Sequence, residues 1–299
     1  MTSIRDHQSA QTTKMLIIGD NGSGKTGALC SLAAAGYNVR VIDLDNGLDL
    51  VKNLLMSSDS PYPSDTANRF EFETITDQMK NINGRLVPRS TTVWNRAVGL
   101  LNNWKTESAD FGPITTWGPK DVLVIDSLTH LANGALNFIL SMNARLGQQA
   151  HQSDWWGGQQ LLESMLQMLY DKGVGCNVII NCHIVYIERD NQPEKGYPAS
   201  LGKALSPKIG SYFNNVIMAK TTGSGASTKH KLLTQGTALV ELKNTAPLRL
   251  RPDYPIETGL AEIFAALRGE STGPRQNSIP APMAKPGAGM VTEPKPGGA

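Results

Sequence analysis

The chain has 299 residues, 40% of them hydrophobic, with 28 Lys plus Arg against 26 Asp plus Glu and a net charge of +2. That composition can bury a core in one large domain or two small ones and fits a soluble globular protein. So mild a charge neither demands nor excludes a nucleic-acid partner, because local patches outweigh the sum. Cys30, Cys176 and Cys182 form no CxxC pair, as expected of reduced, mostly buried thiols. No apolar run approaches the ~18 residues needed to span a bilayer. The amino-terminal MTSIRDHQSAQTTK is polar and unlike a signal peptide. A cytoplasmic protein with no membrane partner is expected.

In chain order, residues 1–13 read as a flexible polar arm. MLIIG (15–19) is a buried strand running into a glycine-rich turn, and 25–35 is a helix stopped by Gly36. NVRVIDLD (38–45) and RFEFETI (69–75) read as strands, and 92–105 has helical spacing. DVLVID (121–126) is a buried strand ending in a carboxylate. Residues 128–146 and roughly 158–172 read as helices, CNVIINCH (176–183) as another buried strand. NNVIMAK, HKLLT and ALVELK look like short strands, the last two joined by a Gly-containing turn, and a helix spans about 257–268. Strands alternating with helices predict an α/β fold, a mostly parallel twisted sheet flanked by helices over residues 14–269. Residues 270–299 are rich in proline and glycine and almost free of large apolar side chains, the composition of a disordered tail.

GDNGSGKT fits the P-loop pattern G-x-x-x-x-G-K-[ST], with Gly19, Asp20, Asn21, Gly22, Ser23, Gly24, Lys25, Thr26 and the following Gly27 as nucleotide-binding residues. The glycines let backbone N–H groups close around phosphate oxygens at a helix start. Lys25 is expected to reach the β- and γ-phosphates of ATP, and the Thr26 hydroxyl to hold Mg²⁺. Asp126, at the end of DVLVID, is the expected carboxylate of the metal's shell. Both groups fall at carboxyl ends of parallel strands, where open α/β sheets bind ligands.

MLIIGDNGSGKT, VRVIDLDNGLD, VLVIDSLTHL and VIINCHI, in that order over roughly residues 15–245, resemble the RecA-type recombinase and helicase core. In that family the second segment carries Ile-Asp-x-Glu, and its Glu orients the attacking water. Here the segment stands as Ile42, Asp43, Leu44, Asp45, with Leu48 and Asp49 following, so the resemblance passes the role to Asp45. The departure shortens the side chain by one methylene, which bears on general-base geometry and not on ATP binding. VIINCHI resembles the strand whose polar end senses the γ-phosphate, implying that role for His183, or else Asn181. The loop after it, ERDNQPEKGYPASLGKALSPK with Arg189, Lys195, Lys203 and Lys208, corresponds to one lining a DNA channel. Trp155 and Trp156 lie where a second DNA-facing loop could stack bases. VELKNTAPLRLR resembles the segment that completes a neighbour's site, implying Lys243, with Arg249 as second choice.

The compact length and the DSLTHL and CHI wording are most similar to phage-encoded RecA-core ATPases of the single-strand annealing (Sak) group. The resemblance therefore implies a Mg²⁺-dependent ATPase acting on single-stranded DNA in homologous recombination. It would assemble as a homo-oligomeric ring or filament and could meet a single-strand-binding protein.

Overall fold

Six parallel strands form the centre of the protein, seen in a computed structural model that describes residues 11–106, 109–189 and 192–270. They are β1 (Lys14–Ile18), β2 (Asn38–Asp43), β3 (Phe70–Thr74), β6 (Asp121–Asp126), β7 (Asn177–Cys182) and β10 (Asn215–Thr222). Two antiparallel strands, β11 (Lys229–Leu233) and β12 (Asp253–Pro255), extend one edge, giving the order β12-β11-β10-β1-β7-β6-β2-β3. Two hairpins stand apart: β4 (Met79–Ile82) with β5 (Arg85–Pro88), and β8 (Ile184–Arg189) with β9 (Gln192–Pro198). The expected α/β class, a mostly parallel sheet flanked by helices, is what the chain adopts.

The central strands are mostly apolar because both faces of the sheet are covered, and buried Arg40 on β2 is neutralised by Asp121 (2.8 Å). Met15 and Ile17 pack with Leu29 of α1 (Lys25–Ala34) and with Phe264 of α7 (Ile256–Arg268). Leu16 and Ile18 point the other way, into a core with Leu100 of α3 (Thr92–Asn102), Leu131 of α4 (Leu128–Met142) and Leu162 of α5 (Gln152–Tyr170). Period-two alternation along one strand thus feeds two cores. A smaller cluster joins Cys30 to Val51 and Leu55 of α2 (Asp49–Met56). All three cysteines are buried free thiols.

Several elements differ from the sequence reading. Helix α5 begins at Gln152, not near 158, because Asp154 accepts the backbone N–H of His151 (2.8 Å) and side-chain bonds from Asn143 and Arg145. Gly157 and Gly158 let α5 approach α4. A Cβ on Gly158 would lie 3.3 Å from the Cα of Leu136. The long loop expected after His183 is the β8–β9 hairpin followed by α6 (Gly202–Ile209), with Lys203 and Lys208 exposed on that helix. The expected strand ALVELK forms only isolated bridges. Thr237 draws the segment into a local turn, its hydroxyl accepting the N–H groups of Leu239 and Val240 (3.2 Å each). HKLLT pairs with β10 instead.

Of the expected arm, residues 11–13 are described, and Thr13 is buried with its N–H bound to Asn177 (2.8 Å). Residues 1–10, and the expected tail beyond 270, lie outside the described residues. No helix among the described residues is long and apolar enough to cross a membrane.

Phe264 is fully buried and meets Tyr37 edge-on, ring centroids 5.7 Å apart. Phe264→Ala is expected to lower stability by about 3–5 kcal/mol, since a large cavity would open between α7 and the sheet. Equilibrium denaturation in urea checks this; a loss under 1 kcal/mol would show that the α7 layer contributes little to the core.

Candidate functional site

The carboxyl ends of β1, β2, β6 and β7 lie side by side. Ile18 registers with Cys182, Asp126 with Asn181, and Asp43 with Asp126. The turn after β1 is the P-loop. Asp20, Asn21 and Gly22 are exposed on its outer rim, and Ser23 to Gly27 turn inward to start α1. Gly24 adopts φ +96°, a left-handed conformation that side chains rarely tolerate. At Gly19 the need for glycine is spatial: a Cβ there would sit 2.4 Å from the carbonyl oxygen of Ala219 and 2.7 Å from Ser23 Oγ. Gly27 lets α2 close in, with Leu54 3.4 Å from where a Cβ would be.

Lys25 is buried, and its ammonium donates to the carbonyls of Gly19 (2.8 Å) and Asp20 (2.9 Å). Burial lowers its pKa, while the charges of Asp126, Asp45 and Asp20 act in the opposite direction. The Thr26 hydroxyl donates to Asp126 Oδ2 (2.6 Å). Asp126 is 3% exposed, and burial pushes its carboxyl above the usual range despite the hydrogen bond from Thr26. Asn181 faces it from β7 and also favours its charged form, yet both polar atoms of that buried amide lack a hydrogen bond of good geometry. Ser23 Oγ is likewise buried without a partner.

Asp43 and Asp45, two residues apart, do different things. Asp43 is buried and structural: it accepts the Thr74 hydroxyl (2.9 Å) and the Gly47 N–H (3.2 Å). Asp45 stands in the turn beyond β2 and faces the nucleotide edge. Its carboxylate accepts Ser127 Oγ (2.8 Å) and lies against His130 Nδ1 (2.6 Å) and His183 Nε2 (3.2 Å). Burial would raise its pKa, but the bonds to His130, His183 and Ser127 outweigh this and hold it well below the usual carboxylate range. The same contact raises the pKa of His130.

His130 and Ser127 were not singled out from sequence. The available signal was their spacing after Asp126: a helix that starts at a strand's carboxyl end aims its first turn back at the site. Lys243 bridges backbone-to-backbone with Val216, and its exposed side chain makes no hydrogen bond or ion pair among the described residues. Arg249 lies against Gly269 at the carboxyl end of α7, whose other end, at Ile256, touches Gly24. It is therefore about a helix length, ~20 Å, from its own P-loop.

A family model described as "AAA domain" (AAA_24) matches residues 11–246, a span that includes the P-loop, Asp45, Asp126 and His183. The chain belongs to the AAA domain family. A search of curated proteins finds no match. Among solved structures, this AAA domain is similar to a RadB recombinase, at 15% identity and a TM-score of 0.45, covering 83% of this chain and 89% of that one. It is also similar to the flagellar accessory protein FlaH from Methanocaldococcus jannaschii, at 12% identity and a TM-score of 0.37, covering 83% and 87%.

Family membership implies nucleotide binding, and the residues present fit a magnesium-bound triphosphate. A buried lysine rests only on loop carbonyls, buried Ser23 Oγ and Asn181 lack partners, and the Thr26 hydroxyl and Asp126 carboxylate form an all-oxygen pair suited to Mg²⁺. Gly19→Ala is expected to weaken uptake of a fluorescent ATP analogue by about tenfold or more, because the new methyl must displace the loop from Ala219. Titration of the two proteins reads this directly; equal affinities would mean that the loop does not form the cradle.

Proposed function

We propose that this protein is a Mg²⁺-dependent RecA-like ATPase that acts on single-stranded DNA in phage-type homologous recombination, promoting annealing or strand pairing. The observation that carries the ATPase part is the convergence of Lys25, Thr26, Asp126 and Asp45 on one sheet edge. Lys25 exchanges its loop carbonyls for β- and γ-phosphate oxygens and neutralises their charge. Thr26 and Asp126 hold Mg²⁺, which when bound polarises the phosphoryl oxygens. Asp45 accepts a hydrogen bond from the attacking water and orients it towards the γ-phosphorus. His183, already in contact with Asp45, registers the γ-phosphate and begins the β8–β9 hairpin. Lys243 enters from a neighbouring copy in a ring or filament and stabilises charge developing on the γ-phosphate.

Support for the DNA part comes from the surface. Trp94, Trp104 and Trp117 are core residues, but Trp155 and Trp156 are 40% and 65% exposed on the first turns of α5. Lys203 and Lys208 lie exposed on α6, and α5 touches the start of that helix through Gln159, which donates to the Leu201 carbonyl (2.9 Å). Aromatic faces beside cations suit single-stranded nucleic acid.

A second reading, a nucleotide-gated scaffold with slow turnover, is favoured by one observation. The Asp45 carboxylate is engaged by three side chains at once, which leaves it a weak base. A ring helicase or helicase loader shares the same core and differs in translocating along DNA.

ATP hydrolysis measured with and without single-stranded DNA separates these readings. Strong stimulation supports the recombination protein, whereas a rate wholly indifferent to DNA removes both recombinase and helicase. Lys25→Ala is expected to cut turnover by roughly 10²-fold or more. Asp45→Ala is expected to cut it by about 10²–10⁴-fold with nucleotide affinity preserved. Full activity in either variant overturns the site assignment. Trp155→Ala and Trp156→Ala are each expected to weaken single-strand binding by about 1–3 kcal/mol in a fluorescence anisotropy titration, and unchanged affinity in both would move the DNA contact elsewhere.

A further inference from the structure

Asp45, His130 and His183 come from three separate elements and present two imidazole nitrogens and a carboxylate to one point. Asp45 lies on the turn after β2, His130 on the first turn of α4 and His183 directly after β7. One ligand atom from each lies within 4.8 Å of the other two. The two rings meet edge to face at 6.3 Å, so neither blocks the other's nitrogen. We propose that these three residues bind a transition-metal divalent cation of the Zn²⁺ class, at a site separate from the Mg²⁺ pair Thr26 and Asp126.

The donor chemistry favours such an ion. Imidazole suits zinc and its neighbours, whereas Mg²⁺ takes oxygen ligands and keeps its waters. Zinc bonds of about 2.0–2.2 Å in a tetrahedron set donors roughly 3.3 Å apart. His183 Nε2 lies 3.2 Å from Asp45 Oδ2, which already matches, whereas His130 Nδ1 lies 2.6 Å from the other oxygen, Oδ1, so a shared ion needs a small rotation of the carboxylate or of the exposed His130 ring. The Ser127 hydroxyl, bonded to Asp45 Oδ1 (2.8 Å), supplies the outer contact that commonly fixes a ligating carboxylate. The His130 side chain is 49% exposed, which gives an ion a way in and leaves room for a bound water at the fourth position. A metal at His130 Nδ1 takes that nitrogen free of its proton, so binding weakens as pH falls.

The test uses full-length, tag-free, nucleotide-free protein, so it does not depend on the ATPase reading. Titration with Co²⁺, a visible-absorbing stand-in for zinc, is expected to give d–d bands saturating near one equivalent per chain. Equimolar Zn²⁺ should abolish the bands, and millimolar Mg²⁺ should leave them. His130→Ala, at a half-exposed position, should fold normally by circular dichroism and weaken uptake by at least tenfold. Lys25→Ala, which disables the P-loop, should bind Co²⁺ like the parent chain. Absence of stoichiometric bands in the parent, or equal uptake by His130→Ala, overturns the proposal. Displacement by Mg²⁺ does so too, because it would place the ion at Thr26 and Asp126.

Discussion

The 2.6 Å hydrogen bond from Thr26 to Asp126 joins residues one hundred positions apart, and the site's geometry depends on what makes it possible. Thr26 is on the first turn of the helix after β1. Asp126 ends β6, which is not β1's neighbour, because β7 runs between them. The two side chains can meet only if all three strands end at one level, and the paired registers Ile18–Cys182 and Asp126–Asn181 achieve that. A one-residue slip of β6 would turn Asp126 to the opposite face and bring Ile125 to the site. Parallel strands buried on both faces resist such slips, since Val122 and Val124 feed one core while Leu123 and Ile125 feed the other.

Burial at that edge works against the charges it encloses. It raises the pKa of Asp126 and lowers that of Lys25, yet each group's charge favours the ionised form of the other. Asp45 adds a negative charge that acts against ionised Asp126. It is accommodated because His130, His183 and Ser127 hydrogen-bond its carboxylate. The edge therefore has two compartments, an oxygen-rich one built on Thr26 and Asp126 and an imidazole-rich one built on Asp45. Asn181, buried and facing Asp126, has no partner for its amide in either.

Much of this was legible in the sequence for physical reasons. A doubly covered parallel strand is a mostly apolar run, so MLII, VRVID, VLVID and NVIINC announce themselves. A P-loop needs glycine at fixed positions, and Gly19 and Gly24 show why, one through a carbonyl at 2.4 Å and the other through positive φ. What escaped was set by tertiary contact. The first turns of α5, through Gly157 and Gly158, depend on α4 packing against them. The β8–β9 hairpin carries proline and glycine in a segment that reads as loop, yet Gly196 sits there in close packing with Ile184, Tyr186 and Val240. For His130 the sequence offers only its short spacing after Asp126. Its neighbours Asp45 and His183 lie 85 residues before it and 53 after it in the chain, so only the folded sheet brings the three together.

The same distant placement links the nucleotide edge to the exposed tryptophans. His183 follows β7 directly, and its carbonyl accepts the N–H of Ala199 (2.8 Å). Thr129, beside His130 on α4, donates to the Ala199 carbonyl (3.1 Å). Two residues on, Leu201 accepts the Gln159 side chain and packs where Gly158 lacks a Cβ, both on α5. Trp155 lies one helical turn before Gln159. Each step is a hydrogen bond or a close packing contact between described elements, so Asp45 and the α5 surface belong to one connected body. Connection is the precondition for coupling and not coupling itself, which requires an element with two arrangements that both sites bias.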